Sequence, residues 1–425
     1  MIDALKKIEI FKQNNILFKF LILNLILIFF IIFFFNSYGT ANVDTFLKWL
    51  DYAVLDGFIN NYNLRHNDNY GPLATIFPYS LYKLDLNYPN IILIKFTQII
   101  FFYISTIIFF FFTKNLLNSL IFVIIFSVTA LGHQDLDIIY LPFLILSLIF
   151  LEKKKIFLFT VFYILSCLVK WQPIIIAPLI FLYISNFHIN FKNIGLTFKH
   201  LSYKNIIVAS ISSVFMIGLT FLFLDPISIY KSLVQSINHA QLAGNSLNFN
   251  WLCTWILKII KQDLYGVFDG QVYFIYIRPY HFLTVIGSII FFVIFCLLLL
   301  KFSLKKEKNF SDFLFFSFFI FYTYFIFNKG AHQNHLFMGC FFAYFLYLKD
   351  KKFLQLLLLV AISFNMNLLL MYGYDGEGTF FNFLTNYRII NFSFLKYPFD
   401  LTVLFAFINL IFYCFIFLKY FKVRE

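Results

Sequence analysis

The 425-residue chain is 61% hydrophobic and 23% aromatic, with only 12% charged residues and a formal net charge of +13. A soluble domain carries roughly twice that charged fraction, so a water-soluble fold is excluded and an all-α polytopic membrane protein is expected. The positive balance is a topology signal, because the lysines gather in short loops, and it is no sign of nucleic-acid binding.

A basic N-terminal stretch leads into the first apolar run, 17–35. No small-residue cleavage site follows it, so an uncleaved first span is predicted rather than a signal peptide. Further spans are predicted at 91–112, 115–131, 136–151, 156–170, 173–187, 205–224, 281–300, 312–328, 334–348, 353–371 and 400–418, about twelve in all. Several are short, as are helices that tilt, break or stop part-way in large bundles. The reading is a single membrane domain over 1–425, with long loops at 36–90, 225–280 and 372–399. With the N-terminus cytoplasmic, the inner segments, the two termini included, take 21 of the 33 basic residues, and all three long loops fall on the extracytoplasmic side. An integral protein of a bacterial inner membrane is expected, with membrane lipids as its surroundings. Five cysteines, at 167, 253, 296, 340 and 414, fit neither a metal motif nor a disulfide framework and read as packing residues.

Within loop 36–90, residues 44–60 read as an amphipathic helix lying along the membrane surface. Leu47, Leu50, Val54 and Phe58 recur at helical spacing, with acids opposite. Asp44 and Asp51 are seven residues apart and share a face. A carboxylate just past a first span suits a general base, and a solvated loop acid is the plainer alternative. Gly132-His133-Gln134-Asp135 interrupts two short apolar spans, and polar groups placed there are functional candidates; alone, the island reads equally as a hydrated turn.

Lys170-Trp171-Gln172-Pro173 turns between two short spans. Lys170 suits an anionic headgroup and Trp171 an interfacial belt. In 225–280, Asn245-Ser246-Leu247-Asn248-Phe249-Asn250-Trp251 reads as a sugar-site lining or a re-entrant piece. Lys329 precedes His332 and His335, and two imidazoles with a lysine at a helix start suit an anion. Only four of the basic residues are arginine, and three of them, Arg65, Arg278 and Arg388, fall in the predicted outer loops. Arginine binds phosphate or carboxylate through a fork that lysine lacks.

In order along the chain, these residues resemble the GT-C membrane glycosyltransferases that use polyprenyl-phosphate sugars, in particular the family 87 and PIG-M-like mannosyltransferase types. The resemblance rests on Asp44 after the first span, Tyr52-Ala53, Gly57, Tyr62 and Pro72-Leu73. It continues through Gly132–Asp135, Lys170-Trp171-Gln172-Pro173 with Pro178, Asn245–Trp251 and His332-Gln333-Asn334-His335. Gln333 stands where the last pattern has an acid. The resemblance implies a GT-C-like bundle of about twelve transmembrane helices and an inverting hexose transfer, mannose-like, from a polyprenyl-phosphate donor to a lipid or glycan acceptor. By it, Asp44 matches the catalytic base, with Asp51 the other acid on that face. Lys170, Arg278, Lys329, His332, His335 and Arg388 are candidates for the donor phosphate. His133, Gln134, Asp135, Gln172, Asn250 and Trp251 are candidates for substrate binding. No metal ligand is named and no cofactor is assigned, a divalent metal staying open. A lipid-linked glycan polymerase or ligase is the alternative, and a transporter a more distant one.

Overall fold

The computed structural model describes residues 2–40, 42–64, 70–84, 88–189, 201–237, 240–277, 282–374, 376, 388–390 and 398–422. Among them the chain is overwhelmingly helical, with two minimal two-stranded pairings. Helices occupy all twelve segments predicted as spans. Seven are long and apolar enough to cross a membrane: Asn15–Phe34, Asn90–Thr113, Tyr203–Phe223, Phe282–Leu304, Phe310–Phe327, Lys351–Tyr372 and Leu401–Phe421. The others are shorter, so a count of twelve crossings does not follow from helix length. The protein is a helical membrane protein. The single domain read from the sequence packs as two compact units.

The first unit comprises Met1–Tyr62, Pro72–Val169 and Tyr374–Phe380. Helix α1 (Ile2–Phe34) is followed by α2 (Asn42–Asp56), α3 (Phe58–Leu64) and α4 (Leu73–Tyr82). Then come α5 (Asn90–Thr113), α6 (Leu116–Ser127), α7 (Asp137–Glu152) and α8 (Ile156–Val169). Helix α7 packs against both α5 and α8, and α2 and α4 lie against α5.

The helix predicted over 44–60 is in fact two. Gly57 adopts φ +80° and breaks the run, ending α2 at Asp56 and restarting the chain as α3. The buried stripe of α2 is Val43, Phe46, Trp49, Leu50 and Ala53, displaced from the one read in the sequence. Leu47 and Val54 lie at its margins, half-buried.

The second unit comprises Asn63–Gly71, Lys170–Gly373 and Phe381–Glu425. Its helices are α9 (Ala177–Ile184), α10 (Tyr203–Phe223), α11 (Pro226–Ile237), α12 (Phe249–Ile260) and α13 (Gln262–Tyr265). Helices α14 (Phe282–Leu304), α15 (Phe310–Phe327), α16 (Leu336–Lys349), α17 (Leu354–Tyr372) and α18 (Leu401–Lys422) follow. Strand β1 (Ala243–Gly244) runs parallel to β2 (Ala331–His332), and β3 (Ile389–Ile390) antiparallel to β4 (Phe399–Asp400).

Two helices form the core of this unit. Every residue of α16 from Leu336 to Leu346 is buried, and α15 is buried nearly all round. A helix apolar on every side belongs inside, and α15 lies against α14, α16 and α18. Helix α10 is the opposite case. It is equally apolar, but only Ser212 is buried, and Ile211, Val214, Leu222 and Phe223 stand exposed. Such a surface is stable facing lipid. The cysteines are free thiols, with Cys167, Cys253 and Cys340 buried and Cys296 and Cys414 exposed.

Candidate functional site

In the first unit, the polar island is the densest concentration of chemistry. Helix α6 does not simply stop; it widens into one π-helical turn, Val128–Gly132. The His133 N–H bonds the Val128 carbonyl at 2.8 Å, and the Asp135 N–H bonds that of Thr129 at 3.2 Å. Gln134 then takes a left-handed conformation, φ +55°. A π turn and a left-handed non-glycine residue are both uncommon, and both concentrate at functional sites. His133, Gln134, Asp135 and Asp137 are fully buried, so the turn is enclosed by protein rather than open at the surface.

The segment between α1 and α2 is stitched to this island. The Thr40 N–H donates to the His133 carbonyl at 3.2 Å, and the Gln134 side-chain amide donates to the Ser37 carbonyl at 2.8 Å. The Gln98 amide reaches the Gln134 carbonyl at 2.7 Å. Close approach is enforced by glycines. A Cβ on Gly132 would lie 2.2 Å from the Tyr374 carbonyl oxygen, and Gly39, at φ +91°, bridges Gly376. Lys95, from α5, places its ammonium on the Phe35 and Ser37 carbonyls at 2.6 and 2.7 Å. Those carbonyls follow the end of α1, where backbone oxygens lack helical partners and favour a cation. A small cavity lined by Lys95, Gln98, Ala130 and Gln134 adjoins the island.

Asp44 lies in the first turn of α2, four residues beyond Thr40. It stands on the exposed side of the helix and accepts a 3.0 Å hydrogen bond from the Tyr38 hydroxyl. Asp51 is also exposed and accepts from the Asn90 amide. The two acids share a face as expected, and neither is enclosed by an apolar wall.

In the second unit, the residues at 170–172 and 329–335 are drawn together. Gln172 donates to the His335 carbonyl at 2.9 Å. Lys170 is buried, paired through its backbone with Tyr70, and its ammonium lies 5.1 Å from the centre of the Tyr70 ring. Trp171 bonds Ser232, whose hydroxyl in turn donates to the Tyr70 carbonyl. The His332 N–H donates to His335 Nδ1 at 3.0 Å, so that nitrogen is an acceptor and any proton on the neutral ring sits on Nε2. The ring of His332 fills the space where Gly244 has no Cβ. Lys329 is half-buried, its N–H donating to Ser288 at 3.3 Å.

Three residues assigned to ligand from sequence have structural work instead. Trp251 is 1% exposed; it packs with Leu247, Phe268, Val272 and Leu370 and donates to Thr402 at 2.9 Å. No face of it is open to a substrate. Asn250 is fully buried and, with Asn248, donates to carbonyls in the last turn of α15, those of Phe327 and Phe325. These side chains satisfy oxygens that a helix end leaves unpaired. Arg388 is not a free fork for phosphate. Its guanidinium binds Asp400 through Nε at 3.0 and 3.1 Å and through a terminal nitrogen at 2.7 Å, and Asp400 is buried. Arg278 lies outside the described residues.

Sequence reasoning missed Lys95, Gln98, Asp137 and Asp400. For Lys95 and Gln98 a signal existed, since they sit one turn apart on the otherwise apolar helix α5. Among the described residues, no three His, Cys, Asp or Glu side chains gather closely enough to hold a metal ion. Comparison with protein-family models and with curated proteins finds no match.

Proposed function

We propose that the chain is a GT-C-like glycosyltransferase of a bacterial inner membrane, with about twelve helices in the bilayer and its site on the extracytoplasmic face. The reaction moves a hexose, mannose-like, from a polyprenyl-phosphate donor to a lipid or glycan acceptor. The observation that carries this reading is the stitching of His133 to Thr40. It ties two motifs of the resemblance that are distant in sequence, the helix bearing Asp44 and the island His133–Asp135, into one buried polar structure.

In the proposed step, the Asp44 carboxylate takes the proton of an acceptor hydroxyl. The hydroxyl oxygen bonds the anomeric carbon as the bond from that carbon to the phosphate oxygen breaks, inverting the centre. Polyprenyl phosphate leaves as an anion, and cationic donors stabilise such a leaving group. The candidates for that role are Lys170, Lys329, His332 and His335, with Arg278 outside the described residues; Arg388, committed to Asp400, does not take it. His133 and Gln134 hold the segment before α2, and Asp135 stays with them as a candidate for substrate binding. Burial of the isoprenoid tail, roughly 0.8 kcal/mol per CH₂, would retain the donor.

The test uses purified protein with radiolabelled polyprenyl-phosphate mannose, glucose and arabinose in separate assays. Transfer from one of them, lost in Asp44→Ala at normal expression, is the expected result. Transfer from none, or only from nucleotide sugars, refutes the reading. Activity that survives Asp44→Ala points to the polymerase or ligase alternative.

A further inference from the structure

Helix α11 is amphipathic with its faces reversed for a helix packed on protein. Its buried side is serine. The Ser228 hydroxyl donates to the Asn63 carbonyl and the Ser232 hydroxyl to the Tyr70 carbonyl, both at 2.9 Å, and both serines are 2% exposed. Its outward side is apolar. Ile227, Tyr230 and Ile237 are 61%, 65% and 65% exposed, and Val234 between them is half-buried. At 3.6 residues per turn these four fall within about a quarter of the helix circumference, opposite the two serines. The hydrophobic face of α11 is thus the one turned away from the unit that holds it.

What lies against that stripe is set by where α11 starts. Helix α10, long and apolar enough to cross a membrane, ends at Phe223, with Leu222 and Phe223 exposed. Leu224 is extended, and Asp225 caps the next helix by accepting from the Ile227 and Ser228 N–H groups at 3.2 and 3.0 Å. Three residue steps separate Phe223 from Pro226, so α11 begins within about 11 Å of the end of α10. The interfacial layer that flanks the hydrocarbon is roughly 5–8 Å deep on each side, so α11 starts in it or at its edge. Residues 226–237 contain one cation, Lys231, and no acid. Lys231 is exposed at the margin of the stripe, where a long side chain reaches lipid phosphates while its stem lies along apolar groups.

We infer that α11 lies in the plane of the bilayer surface, with Ile227, Tyr230, Val234 and Ile237 seated at the boundary between phospholipid headgroups and acyl chains. An upright helix would carry Ile237 about 15 Å beyond Ile227 and clear of the headgroups. An in-plane helix keeps the whole stripe at one depth. The interfacial aromatic is then Tyr230 rather than Trp171, which is 7% exposed and donates its indole N–H to Ser232 at 3.0 Å. Through Ser232 the lipid-seated helix is fastened to the Lys170–Trp171 turn and to Tyr70, whose backbone pairs with Lys170. The bilayer surface thus holds that turn at headgroup level, and this does not depend on the glycosyltransferase reading.

The experiment uses the full-length protein in nanodiscs of phosphatidylcholine and phosphatidylglycerol. The exposed thiols are removed by Cys296→Ser and Cys414→Ser, and a nitroxide is attached through Ile227→Cys, Tyr230→Cys, Lys231→Cys, Val234→Cys or Ile237→Cys, one at a time. Power-saturation EPR reads depth from collisions with oxygen and with a water-soluble nickel chelate. The four stripe labels should share one depth, roughly 5–10 Å into the headgroup and acyl boundary, with the label at 231 nearer water. The assignment is overturned by nickel access along the stripe, or by a depth that changes steadily from 227 to 237. It is also overturned by labels shielded from both reagents, which means a protein cover, or by dipolar broadening between labels, which means a second copy. Photolabelling of the unaltered protein, by a phosphatidylcholine carrying a diazirine high on its acyl chain, needs no variant to fold. Adducts on the stripe of α11 are expected alongside those on α10, and labelling of α10 with none in 226–237 refutes the in-plane placement.

Discussion

Replacing Asp400 by alanine should destabilise the second unit by about 3–5 kcal/mol, the usual cost of removing one partner of a buried ion pair. The magnitude follows from what the carboxylate holds. It receives the Arg388 fork, the Thr402 N–H at 2.9 Å and hydroxyl at 2.6 Å, and the Val272 N–H at 2.9 Å. Arg388 also donates to the Val272 carbonyl. Without Asp400 the guanidinium, whose side chain is only 13% exposed, keeps its charge and loses its counter-ion. Arg388→Met should cost a similar amount, because it strands a carboxylate with 0% side-chain exposure. Arg388→Met combined with Asp400→Leu should recover much of the loss, since a buried pair often exchanges for apolar side chains with little net change. Thermal unfolding in detergent, followed by tryptophan fluorescence, gives the double-mutant cycle. A coupling below about 0.5 kcal/mol would refute the argument. It would return Arg388 to the role of a free anion-binding fork, in which case its loss would raise KM for the donor without moving the melting temperature.

Gly132→Ala should destabilise the first unit and lower activity, because the added Cβ meets a backbone oxygen at 2.2 Å that no side-chain rotation can move; a melting temperature within error of the unaltered protein would contradict it. Asp44→Asn should abolish transfer while leaving thermal stability within about 0.5 kcal/mol, since the side chain is exposed; circular dichroism melts and the radiolabel assay check both halves. Trp251→Ala should cost about 3–5 kcal/mol through its cavity and the lost bond to Thr402, read as a lower melting temperature rather than a raised KM. Lys308, in the loop before α15, has its pKa pushed down to about 8 by burial, with Asp312 partly opposing and Lys305 adding to it. The unfolded chain keeps the proton to higher pH, so stability should rise as pH climbs from about 8 towards the ordinary lysine value near 10.4. Lys308→Met should flatten that rise in melting temperature, and an unchanged slope would rule the lysine out as its source.

Where each segment becomes helical was legible, because apolar run length needs no knowledge of neighbours. Helix ends and faces were less so. Gly57 was visible, but 44–60 was read through it, and the stripe of α2 was displaced because Val43, Phe46 and Trp49 are chosen by what packs on them. The site candidates divide the same way. His133–Asp135 and Gln172 stood out as polar residues in oil, and burial now gives that contrast its physical content. Arg388 was misjudged because its partner lies 12 residues away across a strand pairing. Asn250 was misjudged for a similar reason: the α15 carbonyl it reaches is 77 residues distant, and spacing carries no trace of it.

The lysine that holds the end of α1 has a consequence for how the protein is made. Phe35 and Lys95 are separated by 60 residues of chain. Synthesis therefore delivers the first helix to the bilayer long before the group that closes its C-terminal end exists. Until α5 emerges, those carbonyls lack the ammonium that closes the end of α1. The contact that closes the end of α1 can therefore form only once α5 has been made.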